Sequence, residues 1–405
     1  MERSYADVVV IGAGPAGLVL TELLTRNGMS VAVVERQSDP TRSPQGALLQ
    51  PVTLDLLHRL VGFAHSADEV GAITAIEEYG PSGRLFSGAF ADLPGSPAGH
   101  ALNITQGRLR RLLLDRVAGH PAVSVRLGTE VRRLAATDVG GCRTVVAPAD
   151  GTGAPHTLES RWVVAADGKG SETRDLTGVE TWIDEAEHTL RLVPVPTPGG
   201  FPRTIRAHRR PDGMATVVPD ASPGTTFVFT HLTPAALGHD PSPGTAPGGP
   251  IAPERIVDWV VRAIGADDPV LTEALRAAAP RDRIITIEPQ TVNAVDWRRD
   301  GVLLLGDSAH GMHNIGGQGL NTSIQDAILL ADALRRHGDD GKTAWVDDFI
   351  RARRPYIDAF QEAQRALGRA FWPDGGGTSW FAGRFEELSL GQADLRDRWY
   401  EVIDG

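Results

Sequence analysis

The chain has 405 residues, of which 41% are hydrophobic and 22% charged, an ordinary composition for a globular protein with a sizeable core. The formal net charge is −11 and no long Lys/Arg run occurs, which excludes the basic field that nucleic-acid binding needs. No apolar stretch approaches the roughly 20 residues of a membrane span and no signal-peptide pattern opens the chain, so we predict a cytoplasmic protein that contacts neither membrane nor nucleic acid.

The first elements in chain order form a dinucleotide-binding βαβ pattern. The β-branched run Asp7–Ile11 predicts a buried parallel strand and leads directly into the glycine-rich turn 12–17. A helical run to Asn27 and a second apolar strand, Ser30–Val34, follow it. The strand, turn, helix and second strand stand at the spacing that a Rossmann unit requires.

Each glycine of this turn has a physical task. Gly12 permits the tight bend, Gly14 lets the backbone approach a pyrophosphate, and Gly17 lets the helix pack closely on the strand. Glu35 closes the second strand, where a carboxylate can accept hydrogen bonds from ribose hydroxyls. We predict that the following residues of this unit bind the cofactor: Gly12, Gly14, Ala16, Gly17, Glu35 and Arg36.

Three further motifs follow along the chain. A helix is predicted to begin at Gln106, and the strand-like run 161–166 ends in an Asp-Gly pair, Asp167 and Gly168. Farther on, the apolar run 302–305 leads into Gly-Asp-Ser-Ala-His at 306–310, then into a glycine-rich turn and a helix predicted over Thr322–Arg336.

These motifs, in this order, resemble the class A flavoprotein monooxygenases, the group of p-hydroxybenzoate hydroxylase and the polyketide hydroxylases of antibiotic pathways. The resemblance extends from about Ala6 to Pro355, where residues 352–355 look like the family's Arg-Arg-Pro segment. It implies an α/β fold: a Rossmann-type FAD-binding domain, an inserted antiparallel-sheet substrate domain and C-terminal helices, without the thioredoxin-like third domain of some relatives. It also implies non-covalently bound FAD, with NADPH or NADH as co-substrate.

The resemblance also assigns cofactor contacts. Asp307 takes the place of the aspartate that meets the flavin's ribityl chain, and Gln106 and Arg110 take the places near its diphosphate. An amphipathic surface helix with solvated arginines is the alternative for the segment that carries Gln106 and Arg110. The helix after the second glycine-rich turn would direct its N-terminal amides at the flavin edge where negative charge collects on reduction. The residues implied are Gln106, Arg110, Asp167, Gly306, Asp307, Gly317, Gly319, Leu320 and Asn321.

The loop between the Gly-Asp-Ser-Ala-His motif at 306–310 and the second glycine-rich turn departs from the family pattern. Many relatives carry two prolines there, and this chain has His313 and Asn314 instead. Because flanking motifs place the loop beside the flavin, we predict His313 and Asn314 as the catalytic positions. The single cysteine, Cys142, can form neither an internal disulfide nor a cysteine-based metal cluster, and we predict no metal site.

Alternating runs between residues 189 and 229 predict an antiparallel sheet that roofs the flavin. Phe227, Phe229 and His231 alternate on one strand and could line a pocket for a planar ring, although an ordinary sheet core explains them as well. His208 shares a face with Arg206 and is a further substrate-binding prediction, with a hydrogen-bonded structural histidine as its alternative.

We predict an FAD-binding domain of residues 1–75, 100–180 and 284–355, a substrate domain of residues 76–99 and 181–283, and a C-terminal helical segment of residues 356–405. The predicted function is hydroxylation of an aromatic or polyketide-type molecule with O₂ and NAD(P)H, in antibiotic or related biosynthesis, by a monomer or homodimer. The alternatives are Baeyer-Villiger oxygenation or epoxidation, a flavin reductase or dehydrogenase, and a non-catalytic FAD-binding protein. No Trp-x-Trp-x-Ile-Pro motif of a flavin halogenase is present.

Overall fold

The structure is a computed structural model of the chain. It describes residues 3–43, 46–65, 71–138, 140–185, 189–197, 203–219, 224–232, 236, 252–278, 284–287, 290–337, 343–370 and 379–405. Within these ranges, no helix combines the length and the apolar character that crossing a membrane requires.

The strands, numbered in chain order, are β1 Arg3–Ile11, β2 Val31–Val34, β3 Gly46–Leu49, β4 Ala72–Ile73, β5 Ala75–Gly80, β6 Gly83–Ala89, β7 Ala101–Thr105, β8 Val123–Arg126, β9 Thr129–Ala136, β10 Cys142–Pro148, β11 His156–Ala165, β12 Thr181–Glu185, β13 Thr189–Pro196, β14 Thr204–Arg210, β15 Gly213–Pro219, β16 Thr225–Leu232, β17 Ile285–Ile287, β18 Gln290–Ala294, β19 Arg298–Arg299 and β20 Val302–Leu304. The helices are α1 Pro15–Arg26, α2 Pro51–Val61, α3 Gln106–Ala118, α4 Glu172–Thr177, α5 Pro253–Ile264, α6 Pro269–Ala278, α7 Asp307–His310, α8 Gly319–His337, α9 Ala344–Ala370, α10 Phe385–Leu390 and α11 Arg396–Asp404.

A largely parallel sheet forms the base of the molecule. Its order is β19-β20-β11-β1-β2-β8, and β10 and β9 extend it by antiparallel pairing from β11. Val8, Val9 and Val10 of β1 are fully buried because the sheet is covered on both faces, which explains the unbroken apolar run. Helix α1 packs against α3 and α8. Strands β1, β2, β11 and β20 all end at the same edge, where α1 and α8 begin.

The second large sheet has the order β17-β13-β16-β15-β14-β5-β6, antiparallel except for the parallel pair β14 and β5. One face of this sheet is covered by α5 and α6, whose Trp259 and Leu271 pack with Val217 and Val228. Met214, on the opposite face, belongs to the core shared with the first sheet. The sheet therefore lies between a helical layer and the Rossmann-type unit.

The predicted fold class is confirmed: a Rossmann-type α/β unit carries an antiparallel sheet and C-terminal helices. Two boundaries differ from the sequence prediction. Helix α8 begins at Gly319, three residues before the predicted start at Thr322, because a helix tolerates glycine in its first turn. Helix α9 continues through Pro355, so the predicted boundary at residue 356 falls inside a helix.

Candidate flavin site

A cavity of about 310 Å³ opens at the carboxyl edge of the first sheet, between the N-terminus of α1 and that of α8. This is where a doubly wound sheet binds its ligands. The predicted cofactor residues on its wall are Gly12, Gly14, Ala16, Glu35, Arg36, Gln106, Arg110, Asp167, Asp307, Gly319 and Leu320. Chain segments more than 300 residues apart in sequence thus line one cavity, as the motif reading predicts.

The glycine-rich turn fits its predicted tasks. Gly12 has φ +103°, and a Cβ there would lie 2.4 Å from the Ala166 carbonyl oxygen. A Cβ at Gly17 would lie 2.3 Å from the Gly12 carbonyl oxygen, so Gly17 serves helix packing rather than the cavity wall. Gly14 precedes α1 in extended conformation, and Pro15 occupies the first helical position. The first amides of α1 therefore face the cavity without a Cβ before them.

Glu35 is held at the cavity rim by two backbone amides. Its Oε2 accepts from the Ala13 N–H at 2.8 Å, and its Oε1 accepts from the Gln37 N–H at 2.8 Å. The carboxylate therefore has a fixed position at the end of β2, where a ribose hydroxyl can donate to it. Arg36 forms an exposed ion pair with Glu172, 3.0 Å apart, across the cavity mouth.

Helix α3 brings Gln106 and Arg110 to the cavity. The Thr105 side chain caps this helix by accepting from the Arg108 N–H. Arg110 donates from Nη1 to the Pro40 carbonyl, 3.2 Å away, and its buried Nε has no hydrogen-bond partner among the described residues. Burial lowers the pKa of Arg110, and the nearby Glu35 carboxylate acts in the opposite direction. A half-buried guanidinium with a buried Nε thus lies on the cavity wall.

Asp167 and Asp307 each leave one buried acceptor without a partner among the described residues. Asp167 Oδ2 accepts from Thr173, while its Oδ1 accepts from no described group. Asp307 Oδ1 is in the same condition. Burial raises the pKa of Asp307, against the opposing effect of the Lys169 ammonium. Such orphaned acceptors cost stability unless a ligand donates to them.

The start of α8 completes the cavity. Gly306 adopts φ +59°, and a Cβ there would lie 2.5 Å from Ser323 Oγ, which explains the glycine of the Gly-Asp motif. The N–H groups of Gly319 and Leu320 belong to the first turn of α8 and have no intrahelical acceptor, because the first helical bond runs from Thr322 N–H to Gln318. They and the macrodipole of α8 favour negative charge in the cavity.

Asn321 and Gly317, also predicted to bind the cofactor, are not on the cavity wall. Asn321 is fully buried; its Oδ1 accepts from the Gln50 N–H at 3.0 Å and its Nδ2 donates to the carbonyls of Leu48 and Gly317. It holds the turn before α8 against the segment that leads into α2. Gly306 likewise does not line the cavity; its role is to allow the backbone conformation before α7.

The two predicted catalytic positions differ in exposure. His313 is buried, and its Nδ1 accepts from the Ile315 N–H at 3.1 Å. Its ring centroid lies 5.7 Å from that of His231 on β16. Asn314 is exposed, and its carbonyl accepts from the Gly317 N–H. The catalytic roles of both remain predictions.

The predicted substrate residues divide between the two faces of the second sheet. Phe227, Phe229 and His231 share the face turned toward the Rossmann-type unit, and the two phenylalanine rings lie 6.5 Å apart. The structure does not bring His208 to this face. It pairs in register with Ala215 of the helix-covered core, stacks on Tyr79 at 4.9 Å and contacts Asp267 at 3.2 Å.

Burial is the largest influence on His208 and lowers its pKa to about 4, although Asp267 acts in the opposite direction. An imidazole that stays neutral between a sheet and its covering helices is a structural group, which was the alternative reading. Its neighbour Arg206 pairs with Asp268 at 2.6 Å on the same side of the sheet. The shared face of Arg206 and His208 is correct, but it is the face away from the cavity.

Several residues that line the cavity were not predicted from the sequence: Gln37, Thr129, Glu130, Val131, Glu172, Thr173 and Ser323. Ser323 stands one turn after Gly319 on α8, so the helical period could have indicated it. No local pattern marked the contributions of β9.

The orphaned groups fit FAD. The half-buried guanidinium of Arg110 and the helix N-terminal amides suit a diphosphate. The two carboxylate oxygens that have no partner among the described residues suit a hydroxylated chain. The glycine-rich βαβ turn and the carboxylate at the end of β2 define a dinucleotide-binding flavoprotein site.

Similarity to known proteins identifies the family of this chain. A family model described as FAD binding domain matches residues 5–233 and 266–363. Protoasukamycin 4-monooxygenase of Streptomyces nodosus subsp. asukaensis is 30% identical over 89% of this chain and 88% of its own length. The 6-methylpretetramide 4-monooxygenase of Streptomyces rimosus is 30% identical over 90% of this chain and 84% of its own. The chain belongs to this family of FAD-dependent monooxygenases.

Solved structures show the same fold. The probable FAD-dependent monooxygenase PqsL of Pseudomonas aeruginosa superposes with a TM-score of 0.77 at 23% identity, covering 95% of this chain and all of that one. The anhydrotetracycline hydroxylase OxyS of Streptomyces rimosus gives a TM-score of 0.66 at 22% identity, covering 99% of this chain and 76% of that one.

Proposed function

We propose that the protein hydroxylates a planar aromatic, polyketide-type molecule between the start of α8 and the sheet face of Phe227, Phe229 and His231. The observation that supports this most is the 5.7 Å contact between the rings of His231 and His313, which brings that face to the loop after the Gly-Asp motif. Two relatives 30% identical to this chain act, by their names, on protoasukamycin and 6-methylpretetramide.

The residues of the cavity would hold FAD in place. Glu35 would accept from a ribose hydroxyl, Gln106 and Arg110 would bind the diphosphate region, and the Asp307 carboxylate would accept from the ribityl chain. When bound, FAD takes a hydride from NADPH or NADH and supplies the electrons that activate O₂. The Gly319 and Leu320 amides would stabilise negative charge at the flavin edge.

The second sheet would supply the substrate surface. Phe227 and Phe229 are half-buried apolar rings that can stack on a planar substrate and keep water away from it. The buried imidazole of His313 would accept or return the proton of a phenolic hydroxyl, since imidazole is the side chain most often used for such proton transfer. The work would be done in the cytoplasm, where reduced nicotinamide is supplied, by a monomer or a homodimer.

The deciding experiment is anaerobic reduction of the FAD-loaded protein. NADPH or NADH is added without O₂, and loss of the oxidised-flavin absorbance is followed with and without polycyclic phenols. A phenol that accelerates reduction, and that gains one oxygen atom by mass spectrometry when air is admitted, supports hydroxylation. Insertion of oxygen into a ring C–C bond would favour Baeyer-Villiger chemistry. No reduction with either nicotinamide and any phenol would overturn the proposal.

A further inference from the structure

Side-chain donors bind the carbonyl oxygens of the loop of residues 311–316. It contains no proline, yet each of its six carbonyl oxygens accepts a hydrogen bond. The acceptors and their donors are Gly311 with Val292 N–H and Gln361, Met312 with Lys169, His313 with Gln364, Asn314 with Gly317 N–H, Ile315 with Gln364, and Gly316 with Gln318. Buried carbonyls are normally paired, and the feature of this loop is that five of the six accept from a side-chain donor.

Two of these donors stand one turn apart on α9. Gln364 is 2% exposed, and its Nε2 donates to the His313 carbonyl at 2.9 Å and to the Ile315 carbonyl at 2.7 Å. Gln361 is fully buried, and its Nε2 donates to the carbonyls of Gly311 at 3.3 Å and Val292 at 3.1 Å. Because both partners of Gln364 are acceptors, the orientation of its amide is fixed.

The buried Oε1 of Gln364 accepts no hydrogen bond from the described residues. An unpaired buried acceptor costs stability, so stability alone does not account for glutamine at this position. What the residue provides is a double donor to the carbonyls on either side of Asn314. A leucine or methionine would fill the same space without the unpaired oxygen.

Lys169 supports the loop from the other side. Its Nζ donates to the carbonyls of Met312 and Gln290. A Cβ on Gly311 would lie 2.8 Å from Lys169 Cγ, so the glycine lets the lysine stem pass against the loop. Lys169 directly follows the Asp-Gly pair, and this contact connects the two flavin motifs.

We propose that Gln364, Gln361 and Lys169 are positioning residues that fix the 311–316 loop beside the flavin by hydrogen bonds to its carbonyls, in place of the two prolines that relatives carry. Gln364 contributes most, because it holds two carbonyls from one buried amide. The link from loop rigidity to catalysis rests on the proposed function; the rigidity itself does not.

The test variant is Gln364→Met, which removes the amide and keeps the volume. Its matched control is Gln325→Met on α8, because Gln325 is 1% exposed and has no hydrogen bond to the loop among the described residues. Amide hydrogen exchange of the peptide covering 311–317 is measured by mass spectrometry with and without FAD, together with thermal unfolding. We expect Gln364→Met to speed exchange of that peptide about tenfold, and Gln325→Met to leave it within about twofold.

Rescue distinguishes positioning from general stability. No hydrogen bond from the Asn314 N–H is found within the described residues and its φ is not positive, so neither feature excludes proline there. We expect Asn314→Pro in the Gln364→Met background to slow the exchange of the 311–317 peptide again. If Gln364→Met fails to fold, Gln364→Asn, which shortens the amide arm, replaces it and should give a smaller increase in exchange.

Unchanged exchange of the 311–317 peptide in the Gln364 variant would overturn the proposal. So would a uniform increase over the whole chain that follows the unfolding temperature, because that pattern is simple destabilisation. With a working substrate, the variant should release several times more hydrogen peroxide per NADPH consumed, and the Gln325 control should not. A wild type that no nicotinamide reduces would refute the proposed function and leave the exchange result intact.

Discussion

The imidazole rings of His231 and His313 lie 5.7 Å apart with an interplanar angle of 33°, and both residues are buried. One ring belongs to the second sheet and the other to the loop after the Gly-Asp motif. This contact joins the second sheet to the segment between α7 and α8, and neither ring is among the residues that line the cavity. It also fixes which face of the sheet lies toward the proposed substrate space.

The first prediction contrasts the two faces of that sheet. Phe229→Ala removes a half-buried ring from the face of His231, and we expect the KM for an aromatic substrate to rise about tenfold while the KM for NADPH is unchanged. His208→Ala, two strands away on the helix-covered face, should lower stability and leave the substrate KM unchanged. Steady-state kinetics of both variants checks this; equal effects on KM would contradict it.

The glycine-rich turn gives a prediction about cofactor affinity. Gly14 has an ordinary φ of −71°, so Gly14→Val adds a side chain at the cavity wall without straining the backbone. We expect at least a tenfold loss of FAD affinity with little change in the unfolding temperature of the flavin-free protein. Gly12→Ala should instead lower both, because its Cβ would meet the Ala166 carbonyl oxygen at 2.4 Å. Fluorescence titration with FAD and thermal unfolding distinguish the two.

Asp307 provides a prediction about pH. Burial raises its pKa above the ordinary value of 3.8, so the folded, flavin-free protein holds this proton more tightly than the unfolded chain does. Its stability should therefore fall as pH rises from 3.8 through the raised pKa of Asp307, and Asp307→Asn should remove that part of the pH dependence. The same variant should bind FAD about 10- to 100-fold more weakly, because a neutral acceptor replaces a charged one. A wild-type pH profile in the variant would contradict this assignment.

Much of the cavity could be predicted from the sequence because its parts are local. The turn at Gly12 and Gly14, the Asp-Gly pair and the Gly-Asp motif each need particular residues at adjacent positions, since backbone must approach a ligand or another strand. The antiparallel sheet could also be predicted, because alternation of hydrophobic residues along a single strand indicates that one face is covered.

Alternation of hydrophobic residues along a strand does not indicate which part of the molecule covers each face of the sheet. His208 and Phe229 both belong to alternating patterns that indicate a covered face. His208 faces α5 and α6, whereas Phe229 faces the Rossmann-type unit. That difference depends on strand register across the whole sheet. The role of Gln364 could not be predicted from the sequence because its two carbonyl partners lie 49 and 51 residues away along the chain.

The last prediction concerns the buried ion pair behind the Gly-Asp motif. Arg353, fully buried on α9, donates from Nε to Asp326 at 2.6 Å, and Asp326 also contacts His310 at 2.5 Å. Burial opposes ionisation of Asp326, but Arg353 and His310 outweigh it and hold the pKa of Asp326 below its ordinary value. His310 is the last residue of α7, and Asp307, the first residue of α7, lines the cavity. The hydrogen bonds among Arg353, Asp326 and His310 therefore hold α7 in place beside the cavity.

We expect Arg353→Met to lower the free energy of unfolding by about 3–5 kcal/mol, because it leaves a buried carboxylate without its main partner. Urea unfolding of the flavin-free protein measures the change. Adding Asp326→Leu should recover a large part of the loss, since an apolar pair of similar volume carries no desolvation cost. If the double variant is as unstable as the sum of the two single ones, the pair is not coupled and the network does not act as a unit.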